Sequence, residues 1–161
     1  MNYLIYLLFF SLVLPVYNLG ETISDADQNV VLNVCDQTTE YNIGDEVRIS
    51  DWNGAINGGD YHVIWLEMSA SWWGGCYSSI GTMDNIHSNW DDVDAVAMAL
   101  ELSDPNQPYS CSSWGGQFSS SEPLIVNGGS PYYDWWGMFE EQYVPANVFI
   151  DHNMSVFYKT N

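Results

Sequence analysis

The clearest hydrophobic pattern in the chain is a nearly continuous apolar run over residues 61–68, which lies between glycine-rich turns. A short run rich in β-branched and aromatic side chains is typical of a strand that is buried on both faces of a sheet. Other apolar or alternating stretches predict further strands at residues 30–34, 47–49, 93–102, 123–126, 148–150 and 156–158. Only Asp151 to Ser155 separate the last two strands, which therefore predict a C-terminal hairpin.

Between these strands, apolar positions recur at helical spacing. Beyond residue 76, intervals of three and four residues predict a helix whose packed face holds Ile80, Met83, Ile86, His87 and Trp90. Shorter helices are predicted at 112–118 and 135–143, a loop at 103–113, and a loose polar lead at 21–29. Alternating strands and helices followed by a hairpin predict an α/β fold with a central mixed β-sheet flanked by helices.

The first 20 residues carry no charged side chain, and residues 4–16 are apolar apart from Ser11 and Pro15. This apolar core has the length of a signal-peptide core and is shorter than the roughly 20 residues that span a bilayer. We therefore expect residues 1–20 to be a signal peptide, with an uncleaved membrane anchor as the alternative. The rest has the length of one domain and is expected to be secreted or periplasmic, without membrane insertion after cleavage.

The formal net charge is −19, and Arg48 and Lys159 are the only basic side chains. Phosphate backbones and anionic lipid surfaces would repel such a protein, so a nucleic-acid partner is excluded. The charge itself is explained by solubility more readily than by a specific cationic partner. The three histidines are scattered without ligand spacing, so we expect neither a metal site nor a cofactor.

Two segments bear a resemblance to the thioredoxin-fold superfamily. Residues 63–76 run from an apolar strand through Ala70-Ser71-Trp72 to Cys76, which is similar to the strand that leads through Ala-x-Trp into the family's Cys-x-x-Cys motif. Residues 143–151 resemble the helix end, Val-Pro and strand that carry the family's cis-proline. The longer spacing is more like the secreted redoxin branch, similar to TlpA-type thiol–disulfide proteins. The resemblance covers residues 45–161 as one thioredoxin-like domain and leaves residues 21–44 as an N-terminal extension.

The resemblance implies a role for each matched residue. Cys76 falls on the second, more buried cysteine and would lie in the first turn of a helix, where the dipole favours a thiolate. Trp73 stands where the family has its nucleophilic cysteine, and this also argues against the related peroxidases. Glu67 matches a buried acid that relays protons, the alternative being a surface residue beside an inert thiol. Val144 and Pro145 match the cis peptide beside which an extended substrate pairs.

Three cysteines allow one disulfide and one free thiol, and the sequence leaves all three pairings open. If the strands at 63–68 and 93–102 are parallel neighbours, the loops bearing Cys76 and Cys111 open on the same edge of the sheet. A Cys76–Cys111 bridge is then conceivable, either as a rewired redox pair or, as we favour, a structural staple. Cys35 is the free thiol or an alternative partner for Cys111.

Two functions follow. The resemblance implies an exported thiol–disulfide oxidoreductase with a degenerate, single-cysteine motif, in which Cys76, Glu67 and Cys111 are the catalytic candidates and protein thiols or disulfides are the substrates. The alternative rests on aromatic–glycine motifs at residues 72–75, 114–116 and 135–137. Most of these rings are expected in the core, but Trp73 is expected to be exposed. A non-catalytic module would then bind extended peptides or glycans through Trp72, Trp73 and the edge at Val144 and Pro145.

Overall fold

A mixed sheet forms the centre of the protein. The computed structural model describes residues 16–89, 95–102, 108–119, 123–128, 134–140 and 142–161. Within those ranges seven strands are joined in the order β2-β1-β5-β4-β3-β6-β7. Their bounds are β1 Leu32–Val34, β2 Glu46–Val47, β3 Val63–Ser69, β4 Val96–Leu102, β5 Leu124–Asn127, β6 Ala146–Ile150 and β7 Val156–Thr160. The predicted α/β class and mixed sheet are confirmed.

The two longest strands, β3 and β4, pair in parallel near the middle of the sheet. Their register runs from Val63 opposite Val96 to Ser69 opposite Leu102. Six of the seven residues in each strand are buried, as the continuous apolar pattern predicted. Because the two strands are parallel, the carboxyl ends of β3 and β4 lie on one edge of the sheet.

The terminal hairpin is also confirmed, with β6 and β7 antiparallel. Its turn is held by Asp151, whose Oδ1 accepts hydrogen bonds from the backbone N–H groups of Asn153 at 2.8 Å and Ser155 at 3.0 Å. Met154 takes a positive φ of 62° in this turn, and its side chain is buried. The hairpin places β6 against β3, so the segment that precedes β6 reaches the same sheet edge as the end of β3.

Two strands of the sheet, β1 and β2, lie before residue 48. β1 lies between β2 and β5 and is antiparallel to both, although it belongs to the stretch assigned to an N-terminal extension. The lead at 21–29, predicted to be loose, instead forms helix α1, Asp25–Gln28, capped by Ser24. Ile49, predicted to lie in a strand, starts the 3-10 helix Ile49–Trp52, because Asp51 accepts the Arg48 backbone N–H and closes a turn.

After β3, the described residues contain three helices, namely α2, Gly74–Asn89; α3, Cys111–Gly115; and α4, Trp135–Phe139. α2 confirms the predicted helix, while Trp90 and Val93 lie outside the described residues. α3 begins at Cys111 because the Ser110 side chain caps it. The helix predicted at 135–143 ends early, at Phe139, because Glu140 is extended and its carboxylate accepts the Gln142 backbone N–H in a local turn.

The sheet separates two hydrophobic cores. Alternate side chains of β3 point to opposite faces of the sheet. Ile64, Leu66 and Met68 pack together with α4, and Trp65 packs on the side of α2. Glu67 and Ser69 therefore face α2 from the sheet and are fully buried. Across the described ranges, no helix has both the length and the apolar character that crossing a membrane requires.

Candidate binding cleft and buried thiol

Cys76 is the third residue of α2, in its first turn as predicted, and its side chain is completely buried. The sulfur accepts a hydrogen bond from the backbone N–H of Ala70 at 3.3 Å. Burial raises the pKa of the thiol above its ordinary value, and this outweighs the Ala70 hydrogen bond, which favours the thiolate. A thiol in this state is protonated near neutral pH and does not meet solvent.

Glu67 lies beneath α2 and not on the surface. Ser79 Oγ is 2.7 Å from Glu67 Oε1 and 2.7 Å from the Cys76 carbonyl oxygen. Burial raises the pKa of Glu67 to about 7, although the hydroxyls of Ser79 and Ser69 favour its anion. Since Ser79 has one hydroxyl proton for two acceptors, a protonated Glu67 supplies the second proton and satisfies both contacts.

The structure corrects the expected cysteine pairing. Cys35 and Cys111 form the disulfide, with their Cα atoms 5.7 Å apart, and Cys76 is the free thiol. The antiparallel pairing of β1 with β5 explains this, because the Cys35 backbone N–H donates to the Ile125 carbonyl at 2.9 Å and so brings Cys35 beside the start of α3. The prediction of a Cys76–Cys111 bridge is therefore wrong, and Cys35, the alternative partner, is bonded to Cys111.

Trp73 and Pro145 meet over the first turn of α2. The Val144–Pro145 peptide is cis, as expected. A Cβ atom added to Gly75 would lie 2.6 Å from Trp73 Nε1 and 3.4 Å from Pro145 Cδ. The indole ring thus lies directly on the glycine backbone, and half of the Trp73 side chain stays exposed, which confirms the expectation for this residue.

Beside Trp73 opens a cavity of about 450 Å³, which we call the aromatic cleft. It is lined by Ser71, Trp72, Trp73, Gly74, Tyr77, Tyr109, Ser113, Trp114 and Gln117. Four of its five aromatic side chains are 50–58% exposed, whereas Trp114 is 2% exposed and forms part of the buried core. Its volume is within the range of small-molecule and side-chain pockets.

The cleft is assembled from two loops and two helices at the predicted sheet edge. The loop after β3 supplies Ser71 and Trp72, and Ser71 Oγ donates to the Tyr109 carbonyl at 3.3 Å. Tyr77 of α2 meets Trp114 of α3 edge-on, with ring centroids 6.2 Å apart. The inference that the segments carrying Cys76 and Cys111 share an edge therefore held, even though the two sulfurs do not bond.

None of the nine lining residues is charged. Arg48 and Lys159 lie elsewhere: Arg48 pairs with Glu46, and Lys159 Nζ donates to the Tyr17 carbonyl at 3.1 Å. In the described part of the chain, no three His, Cys, Asp or Glu side chains are grouped to hold a metal ion. The cleft therefore offers rings, hydroxyls and an amide to a ligand.

Sequence reasoning missed Tyr77 and Tyr109 as members of this site. Tyr77 immediately follows Cys76, and Tyr109 lies in a predicted loop, so neither carried a pattern of its own. The aromatic–glycine motif at residues 114–116 was the available signal for α3, and it did mark Trp114. Pro145 approaches Gly75 as Trp73 does, but neither Pro145 nor Val144 lines the cleft.

Comparison with solved structures decides the fold. A thiol:disulfide interchange protein assigned as DsbE, from Chlorobium tepidum, superposes with a TM-score of 0.61 at 16% identity, covering 89% of this chain and 84% of that one. The protein has the thioredoxin fold. A secreted Mycobacterium tuberculosis disulfide oxidoreductase gives a TM-score of 0.61 at 12% identity, covering 86% and 87% of the two chains.

A third thioredoxin-fold structure, the thioredoxin domain of a Bacteroides vulgatus thiol-disulfide oxidoreductase, gives a TM-score of 0.59 at 10% identity, covering 92% of this chain and 89% of that one. No family model and no curated protein matches the sequence. The thioredoxin fold thus extends over most of the chain.

Proposed function

We propose that this protein is an exported thioredoxin-fold binding module that holds extended peptide segments in its aromatic cleft and does not turn over thiols. One observation carries the proposal: four exposed aromatic side chains surround a cavity of about 450 Å³ at the sheet edge beside Cys76. Large rings left in water at one place mark an interaction site more often than chance, because their burial is strongly favourable.

The state of the three cysteines supports binding over catalysis. Cys76 has no exposed surface, and burial raises its thiol pKa, so little of the nucleophilic thiolate is present. Cys35 and Cys111 are bonded to each other and lie in a different pairing from the one a rewired active site needs. By resemblance, Trp73 occupies the place of the first cysteine, so that an aromatic ring stands where a nucleophile would be displayed.

The composition of the cleft supports an extended peptide as the ligand. The rings of Trp72, Trp73 and Tyr77 offer flat apolar surface, and Ser71, Ser113 and Gln117 offer hydrogen-bonding groups. A peptide chain presents both kinds of group in alternation, since side chains point to opposite sides and amides lie between them. Pro145 lies against the Trp73 side of α2, and the segment before β6 extends the surface next to the cleft.

Export is proposed on three grounds. The uncharged, apolar residues 4–16 have the pattern of a signal peptide. The expected end of this segment at residue 20 is too late, because Tyr17 is buried in the core and its backbone N–H donates to the Met138 carbonyl at 2.8 Å. The Cys35–Cys111 disulfide fits an oxidising compartment, since such bonds rarely persist in the reducing cytosol. One of the structural neighbours is itself described as secreted. We place the mature protein outside the cytoplasm.

Thiol–disulfide oxidoreduction is a second candidate, favoured by the position of Glu67. A carboxyl group with a pKa of about 7 lies under the helix turn that carries Cys76, where it could take the thiol proton. Cys76 would attack a substrate disulfide, form a mixed disulfide and release the other sulfur as a thiol. Because Cys76 is the one free cysteine of the chain, an external thiol would have to cleave the mixed disulfide and regenerate the Cys76 thiol.

A peptide-display selection tests the binding proposal. The mature protein, with its disulfide intact, is immobilised and panned against a random heptapeptide library. We expect enriched sequences whose retention falls at least about tenfold in Trp73→Ala, a change at a half-exposed side chain that leaves the fold intact. Phe157→Ala, an equally exposed aromatic on β7 away from the cleft, is the matched control.

Two results would contradict the proposal. One is the absence of any enriched peptide together with retention of neutral oligosaccharides on a glycan array, which would assign the cleft to sugars. The other is enrichment that Trp73→Ala and Phe157→Ala reduce equally. Rapid exchange of Cys76 with glutathione disulfide, measured by mass spectrometry, would favour the second candidate instead.

A further inference from the structure

The aromatic cleft combines several ring faces with the absence of any positive charge. Five aromatic side chains line it, with Trp72 and Trp73 edge-on at 6.0 Å and Tyr77 and Trp114 edge-on at 6.2 Å. Rings that meet at an angle present both edges and faces to the space between them. A cation within about 6 Å of an indole or phenol face is attracted by the ring quadrupole, and tryptophan binds it best.

The charge of the whole protein acts in the same direction. A formal net charge of −19, with Arg48 and Lys159 as the only basic residues, surrounds the cleft with a negative potential. One acidic group lies against α3 and another lies on α2, the two helices that build the cleft. The Asp36 carboxylate packs against Gly115, next to Trp114 on α3, and Asp84 of α2 accepts the Ser119 backbone N–H at 2.9 Å.

One feature opposes a cation, namely the positive end of α2. A helix N-terminus carries the equivalent of about half an elementary charge, and its effect fades within the first turn. Its field is small against the formal charge of −19 on the whole chain. Trp114 lies on α3, whereas Tyr77 is the fourth residue of α2 and so lies within its first turn.

We propose that the aromatic cleft selects extended peptides that carry a lysine or arginine side chain, whose cationic head is held among the rings of Trp72, Tyr77 and Tyr109. This inference rests on the proposed peptide-binding function and specifies its ligand class. Because no lining residue is charged, cation–π contact and not an ion pair selects the cationic side chain. A methylated ammonium group, which forms only weak hydrogen bonds, is therefore accepted as well.

Calorimetric titration with matched heptapeptides tests the selection. The probes are acetylated, amidated alanine–valine peptides whose central residue is lysine, trimethyl-lysine, norleucine or glutamate. We expect the lysine and trimethyl-lysine peptides to bind about tenfold more tightly than the norleucine peptide, and the glutamate peptide to bind more weakly still. Part of the preference should survive at about 1 M salt, where the long-range field is screened to roughly 3 Å.

Variants assign the preference to the cleft. Trp72→Leu and Tyr77→Leu replace exposed rings by aliphatic side chains, and each should bring the lysine-to-norleucine ratio close to one. Phe157→Leu on β7 is the matched control and should leave the ratio unchanged. The wild-type comparison of lysine with norleucine does not depend on any variant folding.

The failures of the two proposals are distinguishable. Equal binding of the lysine and norleucine peptides would overturn the cationic selection and leave the peptide-binding function standing. A lysine preference that vanishes at about 1 M salt and survives Tyr77→Leu would overturn it too, because general charge attraction would explain the result. No binding of any peptide, together with an unenriched display library, would reject both.

Discussion

The indole Nε1 of Trp73 lies 2.6 Å from the position that a Cβ atom at Gly75 would occupy. Gly75, which has no side chain, thus leaves space at the start of α2, and the indole ring of Trp73 fills this space. Pro145 Cδ is 3.4 Å from the same point, so the proline also approaches this turn of α2. The indole ring of Trp73 therefore packs on the backbone of Gly75, and half of the residue stays exposed.

Gly75→Ala should move Trp73 and weaken peptide binding several-fold. The new methyl group overlaps the indole ring, which must shift because the helix backbone is fixed by its hydrogen bonds. The free energy of unfolding should change little, since the better helix propensity of alanine, about 0.5–1 kcal/mol, offsets the lost contact. Peptide affinity and chemical unfolding of the same sample measure both effects.

Gly81→Ala is the control for that experiment. Gly81 lies in the middle of α2, and a Cβ atom there meets nothing within 4 Å. We expect a gain of about 0.5–1 kcal/mol in the free energy of unfolding and unchanged peptide affinity. If the two variants lose binding to the same extent, the placement of Trp73 by Gly75 is not responsible.

Reduction of the Cys35–Cys111 disulfide should destabilise the fold and weaken the cleft. The bond closes a sequence separation of 76 residues, for which chain entropy predicts a loss of about 4 kcal/mol on opening. α3 has five residues and carries Trp114 and Ser113 of the cleft, so it depends on this anchor. Unfolding by guanidinium chloride with and without reductant measures the loss, and Cys76→Ala under both conditions separates the effect of the free thiol.

Glu67→Gln should remove part of the pH dependence of stability. The pKa of Glu67 rises from 4.5 to about 7 in the folded protein, so the native state binds more protons than the unfolded one between these values. The contribution of Glu67 to the free energy of unfolding is fully present below about pH 4.5 and is lost as the pH rises through about 7. At pH 8 the variant should be more stable than the wild type by up to about 3 kcal/mol.

Glu40→Gln, at an exposed side chain, is the charge-matched control for Glu67→Gln. It lowers the negative charge equally without changing a buried carboxyl. Some pH dependence should persist in both variants, because burial and the nearby Asp134 raise the pKa of Glu101 well above its ordinary value. A wild type whose stability is flat between pH 5 and 8 would contradict the assignment of Glu67.

Cys76 should resist thiol reagents in the native protein. The sulfur has no exposed surface, and its pKa is raised by burial, so reaction with Ellman's reagent must wait for opening of the structure. One thiol per chain should react after denaturation without reductant. Fast, stoichiometric labelling of the native protein at pH 7 would show that Cys76 is reachable and would revive the single-thiol mechanism.

The elements that could be predicted from sequence are those whose pattern is local. The apolar run of β3, the helical spacing of α2 and the terminal hairpin all appeared as expected, because side-chain periodicity alone distinguishes them. The helix at 135–143 was predicted too long, since the turn formed by Glu140 and Gln142 interrupts a pattern that continues in apolar content. Local hydrogen bonds, invisible to periodicity, decided that boundary.

The disulfide and the cleft depended on which distant segments meet. Cys35 pairs with Cys111 because β1 adds to β5, and no pattern within the first 47 residues indicated that neighbour. Tyr77 and Tyr109 form one site because parallel strands deliver α2 and the loop before α3 to the same edge. The shared edge was predictable from strand direction, whereas the particular side chains that face each other across it were not.

The antiparallel pairing of β1 with β5 also covers a strand edge that would otherwise be open to another chain. Without β1, the backbone groups of β5 that face Asn33, Val34 and Cys35 would form an open strand edge. The side chains of Leu124, Ile125 and Val126 on this strand are almost fully buried. Such an edge is a template for pairing with other chains. The Cys35–Cys111 disulfide ties the residue after β1 to the start of α3, so the bond that positions α3 also holds β1 over the edge of β5.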